Sequence, residues 1–429
     1  MGTEATLLKL PGYQQLLDRL VEDVRQRRSV VIAVPALFHG IAFGSMLRYR
    51  LSSLGFDVRD VVLAMTGQDS SPGSPVTILT QLLGIKWESA MPRTPAALIA
   101  QMPKDHLPFD VIHITGIGDL TPSEQSAWFE MFEVWGQASQ NCIDQGEDPI
   151  VLLAIVPVSS VDGLPKPNTH LAIHWFWGIT SALEARLYCR IKQGDEQPSA
   201  LSRWREYILS SLAAGDIDLI EFLWSDVRLD VSSLIERLCV YSEKQGWSAA
   251  DFKDIDLRSL MRWERHHNNR QGYSPPPEIL AMWACGAAYM TVEYGVEIHP
   301  SVLALCHMEE QLAHRLWRGQ AELILPLIDQ IRLQLCGYLT TKYGEGWPSL
   351  WELPESPEEQ KAVIENPLAA EWGYLDRLLK SRRELHAERR WASVAATARR
   401  LRNQIAHYQP IHYHEFEAFL NQTRSVLSI

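Results

Sequence analysis

The sequence predicts an α/β N-terminal domain built on a mostly parallel sheet, followed by an all-α middle region and an all-α C-terminal domain. Three observations predict it. Short apolar runs recur through the first 180 residues with helical stretches between them, strand-like runs stop after that point, and the remainder repeats apolar residues at three- and four-residue spacing. The boundaries read as 1–180, 181–319 and 320–429.

Residues 29–34 (SVVIAV) form the first strand candidate, and 40–54 the helix after it, closing at Gly55. Residues 58–65, 109–115 (FDVIHIT), 149–156 (PIVLLAIV) and 170–175 supply four more strands, with the amphipathic stretch 123–138 between the third and fourth. Strands with so few polar interruptions are buried on both faces, as in a parallel sheet covered by helices. Beyond residue 180, the segments 181–192, 201–213, 218–224 and 231–245 have helical periodicity. The Pro-rich 266–278 (HHNNRQGYSPPPE) reads as an exposed loop, and 347–359 (WPSLWELPESPEE) as a turn-rich break between long helices.

At 46% hydrophobic and 21% charged residues the chain is globular rather than disordered, and 429 residues exceed one core. No window approaches eighteen uninterrupted apolar residues and no basic-then-apolar leader is visible, so a cytoplasmic protein without a membrane contact is expected. The six cysteines are too far apart for a CxxC motif and are expected to be reduced and inert. A formal charge of −12 excludes broad attraction to phosphate backbones, so any nucleic-acid contact must come from a local basic surface.

The strand, loop, helix and later central strand of residues 10–180 resemble in layout a degenerate P-loop NTPase of the signal-transducing (STAND/AAA-like) kind. A working loop needs a lysine on the β/γ-phosphate oxygens and a hydroxyl on Mg²⁺. Here residues 35–45 read PALFHGIAFGS, with no Gly-Lys-Ser/Thr, and Thr115 stands where the metal-holding carboxylate would fall, with Asp119 displaced into the next turn. ATPase activity is therefore not expected, no cofactor is assigned, and a structural or regulatory sheet is. His39, His113 and His174 are read as core or rim side chains rather than ligands.

Residues 398–409 (ARRLRNQIAHYQ) contain no Gly or Pro before Pro410 and predict a helix. At 100° per residue, Asn403 and His407 share a face and Arg402 sits beside Asn403, with a side chain long enough to swing toward the same surface, so the three groups are expected to converge at one accessible spot. A guanidinium suits phosphate, an amide can orient a neighbour, and an imidazole titrates near neutrality, which are the groups that metal-independent RNA cleavage requires. The R-N-x-x-x-H hexad, with RNQIAHYQPI around it, EFEAFL downstream and QIRLQLCGYLTTKYGEGW upstream, resembles the HEPN superfamily, in particular the subgroup attached to RNA quality-control and abortive-infection proteins. The likeness spans residues 320–429. It implies paired protomers, Arg402 on the scissile phosphate, His407 as base or orienter, and Asn403 positioning one of them. It equally allows the hexad to serve as a structural knot.

Between Glu371 and His407, the bases Arg377, Lys380, Arg382, Arg383, Arg389, Arg390, Arg399, Arg400 and Arg402 outnumber four acids. This stripe suits a phosphate backbone, a solvated face or an acidic partner. His412 and His414 form an H-x-H without a spaced third ligand, and His266 and His267 have only Glu264 near them, so no metal is assigned. Two functions follow. One is a toxin-like ribonuclease of a bacterial defence system, acting on RNA as a homodimer or with a partner protein. The other is a non-catalytic adaptor that uses the same helices to dimerise or to bind a partner.

Overall fold

The structure, a computed structural model, describes residues 6–36, 41–63, 73–86, 93–102, 109–158, 164–194, 199–213, 215–226, 229–262, 275–291, 293–351, 353–381 and 383–427. His39 and residues 263–274, which hold Glu264, His266 and His267, lie outside them. The chain forms two compact units, Met1–Glu184 with Ile255–His299, and Ala185–Asp254 with Pro300–Ile429.

The first unit is the expected α/β region. Its five strands are β1 (Ser29–Pro35), β2 (Val58–Val62), β3 (Val111–Thr115), β4 (Val151–Val158) and β5 (Leu171–Trp175), ordered β2-β3-β4-β1-β5 and paired in parallel throughout. Parallel neighbours need crossovers. The helices α1 (Pro11–Arg25), α2 (Ile41–Ser53) and α3 (Pro122–Asp144) occupy the chain before β1 and the first and third crossovers. Residues 29–34 of β1 are all buried, which is why that run carries no polar alternation. On one face Val31, Ile112, Ile114 and Leu152 pack with Trp128, Phe132 and Trp135 of α3. A capping box between Thr121 and Glu124, with Pro122 in the first turn, starts that helix.

The other face carries the two described histidines singled out above. His113, buried in β3, has Nδ1 3.0 Å from Asp60 Oδ1, and Asp60 also accepts from Arg48. His174 of β5 has Nε2 2.5 Å from Asp23 Oδ2, whose other oxygen takes Arg28 at 2.6 Å. Thr115 ends β3, and its carbonyl accepts from the Leu63 amide. Gly116 follows at φ 88°, where a Cβ would stand 2.5 Å from the Leu63 oxygen, so the turn requires glycine. An antiparallel pair, β6 (Ala288–Thr291) and β7 (Gly295–Ile298), belongs to this unit.

The second unit is helical. Its longest element is the 35-residue helix Glu309–Tyr343, packed against Ala200–Leu212. We label them in chain order as α4 (Ala200–Leu212) and α5 (Glu309–Tyr343), followed by α6 (Trp372–Ser381), α7 (Arg389–Ala406) and α8 (Tyr413–Leu427). Residues 319 and 320, on either side of the boundary expected between middle and C-terminal domains, are successive residues of α5. Gly319 lets α4 approach so closely that a Cβ there would lie 2.6 Å from the Tyr207 carbonyl oxygen. Trp204 of α4 is fully buried against Tyr413 and Phe416 of α8. None of the six cysteines is in a disulfide, and burial pushes the Cys336 thiol up to about 11.

Candidate functional site

The Arg402–His407 hexad closes α7, and the sequence of that helix explains its two faces. Val394, Ala395, Ala398, Leu401 and Ile405 recur at three- and four-residue spacing and are buried, whereas Arg399, Arg400, Arg402 and Asn403 point to solvent. Helix α5 holds α7 at both ends. At the start, Glu388 precedes the first helical residue and is only 3% exposed, which for a carboxylate demands partners. Tyr338 and Tyr343 donate to it at 2.7 and 3.2 Å, and Lys342 pairs with it. Burial acts to raise the Glu388 carboxyl, but the hydrogen bonds from Lys342 and Tyr338 outweigh it and hold the group below its ordinary range. The anion is thereby kept at the positive end of the helix.

At the other end, the turn that carries His407 is clamped by two side chains of α5. Trp317 donates its indole N–H to the Ile405 carbonyl at 2.6 Å. The buried Gln320 amide donates to the Ile411 carbonyl at 2.9 Å and accepts from the Ile411 amide at 2.7 Å. The helix expected to run to Gln409 ends at Ala406, with His407 as its cap. The Tyr408 amide returns to the Ile405 oxygen (3.1 Å) and the Gln409 amide to the Gln404 oxygen (3.0 Å), the Schellman closure. That closure puts the residue after the cap in the left-handed region, and here the residue is Tyr408 at φ 58° rather than glycine. Such a conformation costs about 1–3 kcal/mol for a side-chain-bearing residue. Pro410 adds to the stop by disfavouring helical backbone at Gln409.

Replacing Gln320 with leucine, close to it in volume, leaves both polar groups of Ile411 without the partners they have now. The expected loss is about 2–6 kcal/mol of stability, from two buried groups at roughly 1–3 kcal/mol each before any water relieves them. A denaturant midpoint unchanged by Gln320→Leu would show that the clamp does not hold this turn.

Asn403 and His407, one helical turn apart, line an open trough of about 360 Å³ whose walls include Arg399, Arg400, Gln404 and Gln409. Both are exposed. Arg402 does not line the trough. Rotated about 100° around the helix from Asn403, it lies on the flank, with Nη1 3.4 Å from Asn403 Oδ1. The structure therefore brings Arg402 to Asn403, and Asn403 and His407 to one trough, but does not place all three on a common wall.

The cations in that wall were visible only as members of the basic stripe. Arg399 reaches Asp376 of α6 at 3.2 Å, an acid shared with Lys380 at 2.6 Å. Arg400 pairs with Glu415 of α8 and with Gln404 at 3.2 Å. Burial works to raise the Glu415 carboxyl, yet the His412 amide and the Arg400 guanidinium hold it below the usual range, so it stays ionised. Arg402 meets no carboxylate among the described residues. Elsewhere in the stripe Arg377 pairs with Glu355, Arg389 and Arg390 are exposed, and Arg382 lies outside the described residues.

The His412 and His414 rings are stacked, with centroids 5.4 Å apart, and Glu415 beside them is committed to Arg400 and the His412 amide. Among the described residues no group of three or more His, Cys, Asp or Glu side chains is arranged to hold a metal ion, and no helix is long and apolar enough to cross a membrane. Trp317, Gln320 and Glu388 were not identified from the sequence. Gln320 stands 91 residues from Ile411, and nothing local marks the pairing.

No family model matches the sequence, and a search of curated proteins finds no match. Among solved structures the chain is similar to one in the structure of Drosophila ORC bound to poly(dA/dT) DNA and Cdc6, with 12% identity over 98% of this chain and 71% of the other, and a TM-score of 0.29. At that score the likeness carries no argument.

Proposed function

We propose that the helical unit binds RNA along α7 and cleaves it by metal-independent transesterification, as a HEPN-type component of a bacterial defence or toxin-like system. The observation that carries this reading is the exposure of Asn403 and His407 at one trough walled by two arginines and flanked by a third. A hexad used only as a structural knot would be committed to neighbouring helices. Here Arg402, Asn403 and His407 face solvent, and the packing is done by Leu401 and Ile405 instead.

In this reading His407 takes the proton of the ribose 2′-hydroxyl. The 2′-oxygen attacks phosphorus, the bond to the 5′-oxygen breaks, and that oxygen leaves with a proton from water or from His407 of a second copy. The products are a 2′,3′-cyclic phosphate and a 5′-hydroxyl end. Arg402 neutralises charge on the phosphorane, and Asn403, within reach of the guanidinium, orients it. A second copy facing the first would supply the other wall that this open trough lacks.

The test is to incubate the purified full chain with RNA in chelator-containing buffer and to determine the product ends. Cyclic phosphate and 5′-hydroxyl ends are expected. RNA left intact at protein concentrations high enough for dimerisation would end the nuclease reading. A non-catalytic adaptor would then remain, favoured by the absence of both the phosphate lysine and the metal acid from the sheet unit.

A further inference from the structure

Tyr408 combines three properties that packing alone does not explain. It occupies the left-handed backbone region at φ 58°, which a glycine would accept without strain. Arg27 and His307 share that conformation, but neither ends a tier of packed rings such as the one under Tyr408. Tyr408 is 67% exposed, among the most exposed large apolar residues described. Its inner side is supported, because its ring centroid lies 4.6 Å from that of Trp317, which in turn lies 5.2 Å from His314. Trp317 is fixed by its hydrogen bond to Ile405. A tier of three rings is thus built up from α5 and ends in an uncovered aromatic next to His407 in sequence.

We propose that Tyr408 is the stacking platform for an unpaired nucleobase, so that the RNA engaged at α7 is single-stranded at the cleavage point. This rests on the RNA reading above. The π-face of a base stacks on an aromatic ring without regard to sequence, and a base held inside a duplex does not present that face. Tyr408 does not itself line the trough, but its neighbours His407 and Gln409 do, and the cations along it, Arg399 and Arg400 in the wall and Arg402 on the flank, suit the phosphates of the strand that leads on from the stacked base. They do not suit the apolar patch of a protein partner. In-line attack by the 2′-oxygen also requires a nucleotide free of helical geometry, which stacking on Tyr408 would enforce.

The experiment uses the full chain carrying His407→Ala, so that RNA is not consumed. Fluorescence anisotropy is measured with a short labelled single-stranded RNA and with the duplex of the same strand. Tyr408→Gly removes the ring while relieving the backbone, and Tyr408→Phe keeps it. The expected result is about a tenfold weaker affinity for the single strand with Tyr408→Gly, retained affinity with Tyr408→Phe, and no effect of either on the duplex. Single-strand affinity unchanged in Tyr408→Gly overturns the platform and leaves the RNA reading standing. A parent that binds neither probe overturns both. Loss of binding together with dissociation of a dimer would make Tyr408 a protein contact and overturn the platform.

Discussion

His407→Ala is expected to lower the single-turnover rate of RNA cleavage by about 10²–10⁴-fold, the range contributed by a positioned general base. The fold should be untouched. The His407 ring is exposed and makes no hydrogen bond among the described residues, while the cap depends on its backbone amide, which alanine retains. Surface changes of this kind stay within about 0.5 kcal/mol. Arg402→Ala should cost about 10²–10³-fold, since it removes one charge from the developing phosphorane. Arg399→Ala and Arg400→Ala should mainly weaken RNA binding, because each guanidinium is already held by a carboxylate of another helix. Single-turnover kinetics with melting curves for each variant separate these effects. A His407→Ala protein that cleaves at the parental rate would remove the imidazole from the mechanism.

Gly319→Val is expected to be among the most damaging single substitutions in the helical unit. The new Cβ would stand 2.6 Å from the Tyr207 carbonyl oxygen, 3.0 Å from Ser211 Cβ and 3.2 Å from Ile208 Cα. Two of those three atoms are backbone and cannot rotate away. Relief requires α4 to move off α5, which would disturb the Ser211 to Arg315 bond (3.0 Å) and the burial of Trp204 against α8. Overpacking of this kind costs about 1–3 kcal/mol, and a β-branched residue on a rigid helix-helix seam belongs at the top of that range. A loss of about 3 kcal/mol corresponds to roughly 6–12 °C for a unit of this size. Gly337→Ala in the same helix is the control. Nothing lies within 4 Å of a Cβ there, so it should stabilise by about 0.5–1 kcal/mol. Equal melting temperatures for the two variants would mean that the α4–α5 approach is not a constraint.

Three of the five strands of the parallel sheet were legible because a strand buried on both faces has a near-continuous apolar run, and 29–34, 109–115 and 149–156 are such runs. The edge strand β2 is mostly not buried and the edge strand β5 is only half-buried, while β6 and β7 fall in a stretch read as helical. The order of the strands in the sheet was not legible. It depends on which strands exchange hydrogen bonds, and Val30 pairs with Leu153 and with Ala172, more than a hundred residues away. The same limit applied to the histidines. His113 and His174 could be placed on strands, but not beside Asp60 and Asp23, because those acids come from separate elements.

By itself the sequence determined the apolar and polar faces of α7, and with them the exposure of Arg402, Asn403 and His407, because a 100° turn per residue leaves no freedom once Leu401 and Ile405 are buried. The tertiary structure alone decided that the helix stops at Ala406, that Trp317 and Gln320 hold the turn, that Arg399 and Arg400, anchored by Asp376 and Glu415, wall the trough, and that Tyr408 adopts a backbone normally left to glycine. The physical reason is separation along the chain. Helical periodicity is set by neighbours three or four residues away, whereas the clamp on the turn and the anchoring of Arg399 and Arg400 depend on side chains from α5, α6 and α8 reaching across packed interfaces.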